Sequence, residues 1–202
     1  KLRGQPSNHM SNLLVQNIKH TNGTTVQTID TSGNSTFSGQ IEQSDMTVAM
    51  FHKTAAETVT GNKTPITDLT NSNGSRGFAS RGSQPSNSSG ILTLPSTGLW
   101  RVDCIFGIYT AYVYSYLYGQ VLFSTDSGSN FNTGCIGYQE LAQGNGGSIT
   151  TTYTHINVFS VFNCTDASTF RIRFDCGGDG SNFVLREGGH TQFLLTKLGA
   201  AQ

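Results

Sequence analysis

The side chains able to do chemistry are few and scattered. Four cysteines (Cys104, Cys135, Cys164, Cys176), five histidines (His9, His20, His52, His155, His190) and twelve acids make up the reactive set. No C-x-x-C is present, and no histidine stands at a zinc-like spacing from a cysteine. Cys104 and Cys176 share the inward parity of their strands, so the thiols read as small buried apolar groups. Their even count leaves a disulfide open without assigning partners. His155, between Thr154 and Ile156, reads as a surface or interface imidazole. Asp166, Asp175 and Asp179 suggest calcium, because "DCGGDGSN" (175–182) is rich in oxygen and glycine. The D-x-D-x-D-G spacing and the distal Glu are missing, which favours a plain turn. No G-x-S-x-G nucleophile elbow occurs, and "GNGG" (144–147) follows no parallel-strand unit that would make it a phosphate cradle. No pair of acids stands out as a glycosidase couple. The expectation is a protein that is not an enzyme, with no catalytic, cofactor or metal residues.

One local pattern is unusual. Tyr112, Tyr114, Tyr116 and Tyr118 alternate with Val113, Ser115 and Leu117, so four phenol rings share one strand face. Left in water they form a sizeable apolar patch. Two uses suit it. Aromatic faces stack on sugars, which makes a glycan-binding strip. Tyrosine also packs its ring while keeping its hydroxyl bonded, which makes an interface between subunits.

The elements that would carry these residues are strands. Hydrophobic residues are 35% and charged residues 12% of the 202, both low for an ordinary enzyme, and Gly, Ser, Thr and Asn fill the difference. Twelve Phe and seven Tyr against one Trp and three Met point to packing by sheets. A formal net charge of zero argues against gripping nucleic acid or acidic lipid. The longest near-apolar run, Ile105 to Phe123, is broken by Gly107, Ser115 and Gly119, so no membrane insertion is expected. The opening "KLRGQPSNHMSNLL" has no apolar signal core, and Met10 is a candidate start. In "FRIRFDC", Phe170, Ile172, Phe174 and Cys176 fall on one side and Arg171, Arg173 and Asp175 on the other. Trp100, Val102, Cys104 and Phe106 alternate with Arg101, Asp103 and Ile105 in the same way. Further strands are expected at 46–53, 64–69, 77–81, 91–94, 135–141, 149–164, 183–186 and 191–198, with loops at 83–90, 127–134, 142–148 and 177–182.

Residues 11–44 differ. Short apolar pieces (Leu13, Val15, Ile18, Val26, Ile29, Phe37) are separated by the turn signals Asn22-Gly23, Ser32-Gly33 and Ser38-Gly39. So few apolar groups cannot make a private core. The expectation is a stem over residues 1–45 whose narrow core, built on those six residues, is shared by three copies, and a head over 46–202.

Two resemblances follow. The segments "LTLPSTGLWRVDCIFGIY" (92–109), "FRIRFDC" and "HTQFLLTKLG" (190–199), with the step Gly98-Leu99-Trp100 after a P-x-x-G, look like the tumour necrosis factor and complement globular-head superfamily over about residues 46–199. That implies an all-β jelly-roll sandwich and a homotrimer, and it favours the interface use of the tyrosine row. Separately, Met10, Ser11, Leu13, Val15, Ile18, Thr21, Gly23, Ile29, Asp30, Ser32, Gly33, Asn34, Thr36 and Phe37 resemble the N-terminal segments of phage fibre and decoration proteins. Together they imply a structural protein on a phage virion surface, made in the host cytoplasm. It would attach to other virion proteins through its N-terminal segment. Its outward loops near 71–90, 124–134, 142–148 and 177–182 would meet a host glycan or receptor. The alternative is a secreted tumour necrosis factor or complement-like trimeric ligand, or a lectin-like binding module.

Overall fold

The computed structural model describes residues 17–19, 25–32, 34–37, 46–71, 80–110, 116–140 and 152–202. The chain forms two units, Lys1–Gln43 and Ser44–Gln202.

The first unit holds three short antiparallel strands, β1 (Asn17–Lys19), β2 (Thr25–Ile29) and β3 (Ser35–Phe37), in the order β1-β2-β3. Ile18 pairs with Gln27 and Gln27 with Phe37, while Ile29 pairs with Ser35. The β2–β3 turn is set by Asp30. Its Oδ1 accepts the backbone N–H of Ser32 and of Asn34, both at 2.8 Å. The Asn34 side-chain amide donates to Asp30 Oδ2, also at 2.8 Å. An Asx residue closing a turn this way replaces the missing strand bonds. Leu13 and Val15 lie outside the described residues, and Val26 falls one position off the Ile18–Gln27–Phe37 line.

The second unit is a sandwich. Its strands are β4 (Val48–Lys53), β5 (Glu57–Lys63), β6 (Leu69–Asn71), β7 (Ser86–Ser88), β8 (Ile91–Thr93), β9 (Gly98–Thr110), β10 (Leu117–Ser124), β11 (Asn132–Gln139), β12 (Thr152–Cys164), β13 (Arg171–Leu185) and β14 (Gln192–Gly199). One layer runs β6-β4-β14-β9-β12, and the other runs β7-β8-β13-β10-β11 with β5 added to β13. All the pairings are antiparallel. The layers join where the far end of β13 leaves β10 and pairs with β9 through Val184–Tyr109 and Leu185–Ile108.

The core sits between the layers. Trp100, Val102, Cys104 and Phe106 of β9, Phe193 and Leu195 of β14, and Ile172, Phe174 and Cys176 of β13 are all buried. Phe174 and Phe193 stack across the layers with ring centroids 3.8 Å apart and planes 4° apart, and Phe106 meets Phe193 edge-on at 5.4 Å. Each such ring contributes roughly 1.5–3 kcal/mol by leaving water. Gly119 of β10 lets Phe106 approach, because a Cβ there would overlap its ring. At one corner Lys53, fully buried, donates to Glu57 at 3.0 Å and lies 3.6 Å from Asp68. Burial of Glu57 would raise its carboxyl, but hydrogen bonds from Lys63 and Lys53 hold it below the ordinary value.

The alternations read in "FRIRFDC" and in the strand from Trp100 are present, with one difference. Asp175 lies on the side opposite the core yet is only 1% exposed. Two loop assignments and one strand assignment also change. The stretch 177–182 is not a loop: β13 runs straight through it, and its ladder to β5 shifts between Gly177 and Asn182. Glycine and serine there serve a bend as the strand changes layers. The loop expected at 83–90 contains β7, closed onto β8 by the two-residue turn Ser89-Gly90, both left-handed (φ 51° and 84°). That is the backbone of a tight hairpin, hidden by an all-polar strand. The strand expected at 64–69 is instead a turn, with the left-handed Asp68 (φ 57°) ending it. Residues 77–79 of the strand expected at 77–81 lie outside the described residues.

Gly119→Ala should therefore lower stability by about 1–3 kcal/mol, the usual cost of overpacking a filled core. A urea unfolding midpoint unchanged from the parent would show that Phe106 can move aside.

Candidate functional site

Strand β12 carries apolar side chains on both parities. Ile156, Val158, Phe162 and Cys164 point into the core. Tyr153 (60% exposed), Phe159 (65%) and Val161 (49%) point away from it. Pairing with β9 places Tyr153 beside Tyr109, Phe159 beside Asp103 and Val161 beside Arg101, with Ile105 (37% exposed) opposite Asn157. The outer face of this layer is thus an exposed apolar row. A shallow depression of about 270 Å³ runs along it between Asp103, Ile105, Asn157 and Phe159. The charges on it cancel locally. Arg101 grips Asp103 through two nitrogens, Nε at 2.9 Å and Nη2 at 2.7 Å, and its guanidinium carbon lies 5.9 Å from the Phe159 ring. At one end Arg186 sits 5.0 Å over Tyr153, donates to His190 Nδ1 at 3.2 Å, and His190 lies 6.1 Å from His155. Two histidines with no relation in sequence are brought together there.

The tyrosine row divides. Tyr112 and Tyr114 lie outside the described residues. Tyr116 and Tyr118 are on the other layer, on its outer face, and β10–β11 pairing adds Tyr138. Tyr138 is 61% and Tyr116 39% exposed, with ring centroids 5.8 Å apart, and Tyr118 lies 6.2 Å from Tyr138. The Tyr118 hydroxyl donates to Asn62 Oδ1 at 3.1 Å. Next along this face, Asp175 pairs with Arg173 at 2.9 Å, and Arg173 lies 4.3 Å over the Phe131 ring. Burial raises the Asp175 carboxyl, and the Arg173 charge works against it.

The remaining reactive groups are separated. Asp166 accepts from Ser168 in its own turn, and Asp179 accepts the Tyr116 N–H at 3.2 Å. With Asp175 in its ion pair, the three aspartates of the calcium reading do not meet. Among the described residues, no group of three His, Cys, Asp or Glu side chains is placed to hold a metal ion. All four cysteines are unpaired; Cys104, Cys164 and Cys176 are buried, and burial pushes the Cys104 and Cys176 thiols well up.

The loop between β10 and β11 is rigidly built. Ser124, fully buried, donates to Asp126 Oδ1 at 2.6 Å and accepts the N–H of Gly128 at 2.9 Å. Asp126 also accepts from Asn130, through its backbone at 3.0 Å and its side-chain amide at 2.7 Å. These bonds, that from Ser124 foremost, lower the Asp126 carboxyl from 3.8 to about 2.

Neither the row on β12 nor Tyr138 belongs to the set picked from sequence. The signal for the row was present: "TYTHINVFSVF" puts apolar residues on both parities, the mark of a strand covered on both faces.

No protein-family model and no curated protein sequence matches the chain. Solved structures do. An Eiger tumour necrosis factor from S. frugiperda superposes with a TM-score of 0.61 at 12% identity, over 78% of this chain and 95% of that one. Murine APRIL gives 0.54 at 12% identity, over 76% of this chain and 100% of that one, in a structure at pH 5.0. A second murine APRIL structure, at pH 8.5, gives 0.52 at 11% identity over the same shares. The fold is a TNF-like jelly-roll β-sandwich.

The loop geometry has a pH consequence. Asp126 is depressed in the folded chain, so its contribution is complete above the ordinary value of 3.8 and fades as pH falls through about 2. Its carboxyl carbon, followed by NMR, should titrate near 2 while unconstrained aspartates titrate near 4. Titration at the ordinary value would mean that the Ser124 and Asn130 bonds do not persist in solution.

Proposed function

We propose that the chain is a non-enzymatic binding module that works as a homotrimer, in the manner of a tumour necrosis factor-like or lectin-like ligand domain. The observation that carries this reading is the exposed row Ile105, Tyr153, Phe159 and Val161. It lies on a sheet whose inner face is already fully occupied, and a contiguous apolar stripe of that kind marks a contact surface. The self-cancelling Arg101–Asp103 pair suits burial against a second copy, since neither charge is left uncompensated. The number three rests on the superfamily resemblance. Three copies around one axis present each partner-binding surface three times, so individual sites can be weak.

The virion-appendage reading rests on the resemblance of residues 10–37 to phage fibre and decoration segments. The solved neighbours are tumour necrosis factor-family domains, and they favour the ligand-type module over it. The attachment of residues 1–45 to other virion proteins and a place on a virion surface belong to that second reading.

Light scattering tests the assembly. The full chain should give three times its 21.7 kDa mass. Phe159→Asp combined with Val161→Asp should give the single-chain mass while leaving the circular dichroism of the sheet intact, since both side chains are outside the core. A parent protein of single-chain mass, or a double variant that still assembles, would contradict the proposal.

A further inference from the structure

The tyrosine cluster lies on the layer opposite the apolar row, so the self-association proposed above does not account for it. Tyr116 immediately precedes β10, Tyr118 lies in it and Tyr138 comes from β11, with Tyr118 and Tyr138 directly paired across the ladder. The rings do not lie flat. Tyr138 is inclined 74° to Tyr116 and 56° to Tyr118, so the three form a notch instead of a continuous floor. Gly177 of β13 makes room for it: a Cβ there would stand 2.7 Å from the Tyr118 ring and would also overlap the Asn62 carbonyl oxygen. Tyr118 is then fixed from behind by its bond to Asn62. The polar groups beside it include the Asn62 amide, the phenol hydroxyls and the Asp179 carboxylate, which accepts the Tyr116 N–H at 3.2 Å. Beyond Tyr118, the Gln120 amide is turned to Asp175 at 3.5 Å.

These features select among ligands. A flat strip of parallel rings suits an extended polymer chain laid along it, whereas a notch with walls at 56° and 74° holds one ring. An aromatic wall stacks on the C–H face of a pyranose, and the hydroxyl and amide rim meets its polar edge. With the Asp179 carboxylate beside Tyr116, and no arginine or lysine among the described residues stacked on the three rings, an anionic sugar gains nothing there. We infer that Tyr116, Tyr118 and Tyr138 form a binding site for the terminal pyranose of a neutral glycan, with Tyr138 as its principal wall. The inference deepens the binding-module reading and rests on it, but it concerns a face that trimerisation does not use.

Saturation-transfer NMR on the full chain tests this. Methyl β-D-galactopyranoside, methyl β-D-glucopyranoside and methyl α-D-mannopyranoside serve as probes at about 10 mM, the range of single weak sites, with N-acetylneuraminic acid as the anionic control. At least one neutral glycoside should receive saturation on its ring protons, and the acid none. Tyr138→Ser, at a residue 61% exposed, should fold normally and cut the transfer at least about tenfold. Tyr118→Phe keeps the ring and should retain it within about twofold. Three silent glycosides, transfer that survives Tyr138→Ser, or binding of the acid alone would overturn the site. So would loss of assembly in Tyr138→Ser, which would make the cluster a protein interface. Light scattering on the same samples separates the two readings. A trimer that binds no sugar sinks the glycan site alone, and a single chain that binds it supports the site while sinking the trimer.

Discussion

The layer β6-β4-β14-β9-β12 carries apolar side chains on both sides, and among the described residues of its unit a second layer covers only the inner one. The inner side meets the second layer through a dry core in which Phe174 and Phe193 stack and Phe106 lies edge-on. On the outer side Tyr153, Phe159, Val161 and Ile105 are left in water. The shape of the rest follows. The long strands β9 and β12 pair over their full thirteen residues without a shift of register, from Gly98–Cys164 to Thr110–Thr152, and so keep the row on one face. Because β12 is the end strand of its layer, the row runs along an edge where a second copy can reach it.

The opposite layer has a different character. Its outer face is polar and aromatic, with the Arg173–Asp175 pair, Gln120 and three tyrosines. Asp175 is buried because Arg173 lies along it and is itself held against Phe131. One face therefore offers apolar area without net charge, and the other offers oriented rings and amides. The first suits association of like with like, and the second suits a small polar ligand. The β10–β11 loop is braced by its own bonds among Ser124, Asp126 and Asn130.

Much of the fold was legible from period two alone. The strands from Trp100 and from Phe170 announce themselves because apolar core residues alternate with mostly polar ones, Asp175 being the one outer residue that is buried. What was hidden has physical causes. β7 is Ser-Asn-Ser, exposed throughout, so no apolar signal marks it. β13 passes through a glycine-rich bend that in sequence looks like a loop, because the conformational freedom that permits a turn also permits a strand to change layers. The tyrosine row was visible, but its partner Tyr138 comes from the next strand and only the β10–β11 register brings it in. The row on β12 was written in the sequence as a failure of alternation, a weaker cue than alternation itself.

The central claim is that the outer face of β12 is covered by other copies of the chain. Hydroxyl-radical footprinting across protein concentration measures this directly, with Tyr138 as an exposed internal reference. The account predicts that Phe159 and Tyr153 are protected at high concentration and are oxidised at the rate expected of open side chains once the protein is diluted to single chains. Oxidation of Phe159 at the open rate at every concentration would contradict it.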